Sequence, residues 1–228
     1  MRRLAAAGLA VAALAGCGSK HSTSGSARLW ITRDRGQHVL VVDKVKAGQT
    51  AMQALEQKAK VNTSYGGRFV QSIDGVSGDR SAQRDWFYFV NGYEADEGAA
   101  DYTLRPGDIE WWDYRSWKHA MHVPVVVGAF PEPFLHGYAG KMRDAAVVFD
   151  SKALEPMARQ LGKLIDAKPL KADEIGDANV LFLMNADVPL SATTSGAGKP
   201  VRFVIGPTAA RRLLADPGRV RYRYTGLR

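Results

Sequence analysis

The residue types that do most protein chemistry are sparse and scattered in this 228-residue chain. Its single cysteine, Cys17, has no partner for an internal disulfide and leaves the body of the chain without a thiol nucleophile. There is no Gly-x-Ser-x-Gly elbow to present an activated serine. His119 and His122 stand at a spacing that could share a metal on a helix, but Val123 and Pro124 favour extended chain, which splays them. The run GAGK at 196–199 is half a phosphate loop, with Pro200 where a magnesium-binding hydroxyl should follow and the leading glycine missing. Asp74, Asp79 and Asp85 fit loop and cap positions better than a catalytic pair. What remains is chemistry of association, carried by large aromatics suited to flat ligands. We therefore expect a protein that is not an enzyme, with no intrinsic cofactor and no metal.

The thiol is set by its surroundings. Arg2 and Arg3 precede an uncharged stretch of Leu, Ala, Val and Gly over residues 4–15, an h-region too short to span a bilayer. LAGC at 14–17 resembles the lipobox of bacterial lipoproteins, in which the cysteine thiol takes a diacylglyceryl group and becomes the new N-terminus. The resemblance implies a signal peptide over residues 1–16 and a lipid (palmitate-type acyl chains) on Cys17. It also implies a location on the extracytoplasmic face of the cell membrane. The Ser/Gly-rich residues 17–27 read as a flexible tether. Removing residues 1–16 takes away two arginines and no acid, so the formal charge falls from +8 to +6. The cations are dispersed along the chain, which argues against a nucleic-acid partner.

The mature chain changes character near residue 120. All five tryptophans, Trp30, Trp86, Trp111, Trp112 and Trp117, lie in residues 28–118, whereas residues 122–228 alternate apolar runs with helical patterns. In the first part, residues 39–45 form a β-branched strand. Thr50 and Gln53 are spaced as a capping box that opens a short helix, with Met52, Leu55 and Ala59 on its inner face. Residues 68–76 and 85–90 read as strands, the second closed by Asn91-Gly92, a hairpin signal. A turn over 104–108 leads to the strand at 109–114. One helix laid across a mostly β sheet is an α+β arrangement of the β-grasp type. In the second part, strands are expected at 123–130, 145–149, 180–184, 201–205 and 220–224, with helices at 151–167 and 208–215 and a mobile loop at 190–200. The helix at 151–167 carries Leu154, Met157, Ala158, Leu161, Leu164 and Ile165 on one stripe. The expected fold class is α+β: a β-grasp-like domain followed by a small α/β domain of unassigned role.

Alternation in the strands puts Trp86, Tyr88 and Val90 on one face and Phe87 and Phe89 on the other; Trp111 and Trp112 likewise point apart. A single helix covers one face only. The other aromatics must meet an open face, a ligand or the second domain.

The runs YGGRFVQSIDGV (65–76), WFYFVNG (86–92), GAADY (98–102) and PGDIEW (106–111), with the helix-opening GQTAMQAL (48–55), resemble the transcobalamin-like C-terminal domain. That β-grasp module occurs in animal cobalamin carriers and in bacterial surface lipoproteins. The resemblance covers residues 28–117 and implies a ligand-binding surface, with Tyr65, Phe69, Trp86, Tyr88 and Trp111 as the contact residues and cobalamin or a similar flat cofactor as the ligand. It also implies delivery to a membrane transporter or another surface protein. The helical domain that holds the second face of the corrin in the animal carriers has no counterpart here. His136, in HGYAG (136–140), lacks the Asp-x-His-x-x-Gly spacing of cobalamin enzymes. The alternative reading is a non-catalytic adaptor whose aromatic sheet binds a protein or cell-wall polymer.

Overall fold

A computed structural model describes residues 25–167 and 175–227 of the chain. The expected signal segment, Cys17 and the expected tether as far as residue 24 lie outside the described residues. No helix among the described residues is long and apolar enough to cross a membrane.

The first strand, β1 (Ser26–Arg33), takes up the last residues of the expected tether, and Ala27 is already buried. It turns through Asp34, Arg35 and Gly36, all at positive φ, into β2 (His38–Lys46). The helix α1 (Ala51–Glu56) starts as its sequence requires: the Gln53 N–H donates to Thr50 Oγ1 at 3.1 Å, and the Thr50 N–H donates back to Gln53 Oε1 at 3.0 Å. The strand expected over 68–76 is instead a meander of β3 (Val61–Ser64), β4 (Phe69–Ile73) and β5 (Val76–Ser77). Asp74 and Gly75 break it because both sit at positive φ, the backbone of a two-residue hairpin turn. Then come β6 (Arg84–Val90), the short β7 (Tyr93–Glu94) and β8 (Ile109–Ser116). The main sheet runs β2-β1-β8-β6-β7, with β1 and β8 parallel and the other pairs antiparallel.

Both faces of this sheet are covered. Leu29, Ile31, Trp86, Val90, Trp112 and Tyr114 pack with Met52 and Leu55 of α1 and with Val70 and Ile73 of β4. On the opposite face, Trp30, Phe89, Ile109 and Trp111 pack against Val126, Ala129 and Tyr224 from the second half of the chain. Two expected strands are corrected here. Residues 123–130 and 220–224 are irregular chain with short 3₁₀ turns at Val127–Ala129 and Pro217–Val220. The run around Val125, Val126 and Val127 is buried and pairs with the main sheet only through a single antiparallel bridge, Val125 to Tyr93, before the 3₁₀ turn takes over. Tyr222 at positive φ interrupts the second candidate.

The rest comprises α2 (Glu132–Leu135), β9 (Ala145–Phe149), α3 (Glu155–Leu164), β10 (Asn179–Leu183), β11 (Ser191–Thr193), β12 (Arg202–Ile205) and α4 (Pro207–Ala215), its strands forming a four-stranded sheet in the order β11-β12-β10-β9. Strands β9, β10 and β12 are parallel. The loop expected at 190–200 holds β11, an antiparallel edge strand on β12, and Leu190 before it is fully buried. Helix α3 is shorter than its apolar stripe, which begins in a 3₁₀ turn at Lys152–Leu154. Leu154, Ala158, Leu161 and Ile165 still form its buried face. The whole is an α+β protein.

Candidate functional site

The structure divides the five aromatic candidates. Trp111 is 0% exposed: its ring lies 5.9 Å from Trp30, 5.7 Å from Phe89 and 5.5 Å from Tyr224, and its Nε1–H donates to Thr32 Oγ1 at 2.7 Å. Trp86 is also buried, tilted against Tyr114, with its Nε1–H donating to the Val76 carbonyl at 2.8 Å. Tyr88 is partly buried and stacks on Trp112 at 4.9 Å. These three rings meet protein on their faces. Strand alternation gave their directions, but what covers each face is a matter of chain packing.

Tyr65 and Phe69 are different. They sit at the tip of the β3–β4 hairpin, 84% and 48% exposed, with ring centroids 6.4 Å apart in an edge-to-face pair. Tyr65 holds φ at +52°, a conformation unusual for a bulky residue, and Gly66 and Gly67 continue the turn at positive φ. The backbone thus bears a cost at the residue whose ring projects furthest into solvent. The pair borders an open groove of about 920 Å³, whose walls include Asn62, Ser64, Gln71, Arg80 and Asp85. This volume is in the range of small-molecule sites. Burial raises the Asp85 carboxyl above its usual range, opposed by the Trp86 N–H and Arg80. The Ser64 hydroxyl is buried without a hydrogen-bond partner. The groove therefore offers two apolar ring faces beside donors, an acceptor and one charge of each sign. That set can hold a flat, partly polar molecule. It holds no arranged nucleophile and base.

A second polar cluster joins the halves. Asn91 is 0% exposed at φ +50°, and its side chain does more than shape the turn. Nδ2–H groups donate to Asp108 Oδ1 at 2.8 Å and to the Gly137 carbonyl at 2.9 Å, while Oδ1 accepts from the Ile109 N–H at 2.8 Å. Tyr102 joins in, its hydroxyl 3.4 Å from Asp108 and accepting from the Ala139 N–H at 3.2 Å. Burial raises the Asp108 carboxyl, against donors from the Arg105 N–H and Asn91. Nearby, Glu132 accepts from His136 at 2.6 Å and raises its imidazole pKa. The signal for this clamp was visible as Asn-Gly in a turn, but its partners lie in residues distant along the chain.

Three further ionisable side chains are buried in the main sheet. Glu110 accepts from Trp112 Nε1–H at 2.6 Å, its other oxygen is unpartnered, and burial raises its pKa strongly. Asp113, raised chiefly by burial, accepts from Thr32 Oγ1 and from the backbone N–H groups of Arg35 and Gly36. Arg115 donates to the Ala120 and Met121 carbonyls, and its guanidinium lies 3.5 Å from the Phe87 ring centre. Asp113 and Arg115 brace chain segments packed against the sheet, whereas Glu110 bonds only within its own strand.

A family model described as a domain of unknown function (DUF4430) matches residues 48–116, less than a third of the chain. No curated protein matches. Among solved structures, the chain is similar to a candidate metal-binding protein from Ruminococcus gnavus ATCC 29149, at 15% identity and a TM-score of 0.34, over 40% of this chain and 97% of that one. It is also similar to haptocorrin in complex with Cbi, with the same identity and TM-score, over 40% of this chain and 25% of that one.

Proposed function

We propose that this protein is a non-catalytic ligand-binding lipoprotein, tethered through Cys17 to the extracytoplasmic face of the membrane. Its ligand is a flat organic cofactor of the cobalamin kind, bound in the groove beside Tyr65 and Phe69. The observation that carries the reading is the exposed edge-to-face pair over an open polar groove, built on a turn that places Tyr65 at positive φ. The order of motifs over residues 65–111 supports the ligand class, and LAGC at 14–17 supports the anchor. A single helix across a mixed sheet with central parallel strands β1 and β8 supports the β-grasp assignment. A membrane transporter or other surface protein would receive the ligand.

The test is calorimetric titration of the purified full chain in detergent with cyanocobalamin, alongside its visible spectrum. Saturable micromolar binding is expected. Tyr65→Ala and Phe69→Ala should each cost about 1 kcal/mol of affinity without a change in melting temperature, from the loss of one ring face. Absence of binding in the folded protein would refute the ligand class. It would favour the adaptor reading, for which β2 supplies an observation: it is an edge strand with Val39, Leu40 and Val42 exposed, open to pairing with another chain.

A further inference from the structure

Arg35 meets Arg221 and Arg223, from the far end of the chain, at one end of the main sheet. The loop after β1 and the segment at 221–225 form the walls of a groove of about 440 Å³, whose lining includes Arg35, Gly36, Arg221, Tyr222, Arg223 and Tyr224. No carboxylate lines it. Among the described residues, none of Arg35, Arg221 and Arg223 is paired with an acid: Asp34 is turned to Arg84 and His38, and Asp216 to Arg219. Asp113 lies behind the loop and is occupied by Thr32 and the backbone of Arg35 and Gly36. Three arginines without an acidic partner line one concavity, an arrangement that favours an anion.

The walls are fixed. A Cβ at Gly36 would fall 1.6 Å from the Tyr222 carbonyl oxygen, and Gly36 sits at φ +77°, so the two segments interlock at a position only glycine can occupy. Tyr222 is anchored edge-on to Trp30 with ring centres 4.7 Å apart. The Arg35 guanidinium is 5.5 Å from the Tyr224 ring centre, which restrains one of the three donors. Arg223 is held by its Nε–H donating to the Arg219 carbonyl at 2.9 Å, leaving its terminal nitrogens for a ligand. The planar donor forks suit the oxygens of phosphate better than ammonium groups would.

We propose that this groove is a second binding site that takes phosphate groups. It is independent of the Tyr65–Phe69 groove, since the two share no lining residue.

The test uses the full chain carrying Cys17→Ser, so that no lipid is attached, titrated with pyrophosphate at 50 mM and 200 mM NaCl. Binding is expected, weaker at the higher salt and weakened roughly tenfold or more by Arg221→Gln with Arg223→Gln, as for the loss of charge-assisted hydrogen bonds. Arg159→Gln, on the exposed face of α3, should leave it unchanged. A parallel arm measures cosedimentation with vesicles of phosphatidylglycerol against phosphatidylcholine. Binding to pyrophosphate assigns a soluble phosphate ligand. Binding to phosphatidylglycerol alone, lost in the same double variant, assigns a lipid headgroup. If neither binds, or if the double variant binds as well as its parent, the proposal is overturned. Circular dichroism of each variant verifies that it is folded.

Discussion

Replacing Asn91 with alanine is the sharpest probe of how the two halves are held together. Its side chain is fully buried and makes three hydrogen bonds, to Asp108, the Gly137 carbonyl and the Ile109 N–H. Alanine orphans a buried N–H and a buried carbonyl, each costing about 1–3 kcal/mol, and removes a donor from a buried carboxylate. The residue is also at φ +50°, where a Cβ without a local hydrogen-bonding group costs about 1 kcal/mol. The predicted loss is about 4 kcal/mol, a large part of the 5–15 kcal/mol typical of a folded domain. Urea unfolding followed by tryptophan fluorescence reads it, since Trp111 reports the junction of the two halves. Asn91→Gly deletes the same bonds and relaxes the backbone, so it should lose about 1 kcal/mol less than Asn91→Ala. Asn91→Asp keeps an acceptor for Ile109 but sets a second carboxylate against Asp108, so its deficit should shrink as pH falls and one of the pair protonates. An alanine variant within 1 kcal/mol of the parent, or a glycine variant no better than alanine, would refute the account of a clamp built on a left-handed residue.

Trp111→Ala should destabilise by about 3–5 kcal/mol, from the cavity left among Trp30, Phe89 and Tyr224, and a thermal melt little different from the parent would count against that packing. Glu110 has a folded-state pKa raised by burial, so the folded state holds its proton more tightly than the unfolded chain does. Stability should therefore fall as pH rises from the ordinary carboxylate range through the raised value. Glu110→Gln keeps an acceptor for Trp112 and should flatten that slope and be the more stable protein at pH 8; an unchanged slope in denaturant titrations would remove Glu110 as its source. Thr50→Ala should cost about 1 kcal/mol by removing one arm of the capping box, measured by the same unfolding curves.

How much of the fold could be read from the chain depends on how far each cause reaches. The capping box at Thr50 and Gln53, the Asn91-Gly92 hairpin and strands β2, β6, β8, β9 and β10 follow from patterns a few residues long, and there the reading and the structure agree within a residue or two. The strands expected at 123–130 and 220–224 failed for a common reason. Apolar and alternating residues mark burial, and here burial comes mainly from filling the space between two halves, with one bridge at Val125 and a backbone break at Tyr222. The break at Asp74-Gly75 was a local signal that the apolar run around it obscured.

For the sites, the residue types were evident and their surroundings were not. Sequence alone marked Cys17 as the residue proposed to carry a lipid, since such a signal is short and linear. It also marked the aromatics, but Trp111 and Tyr65 look alike as letters in a motif. Tertiary structure buries the first beneath Tyr224 and leaves the second projecting from a hairpin tip. Likewise, Arg35 and the arginines at 221 and 223 share a groove only because residues 35–37 and 221–225 interlock. Local signals set dihedrals, caps and turns, because their energies act between near neighbours. Which faces are covered, and which charges meet, depends on contacts between residues about 80–190 apart, which no short pattern encodes.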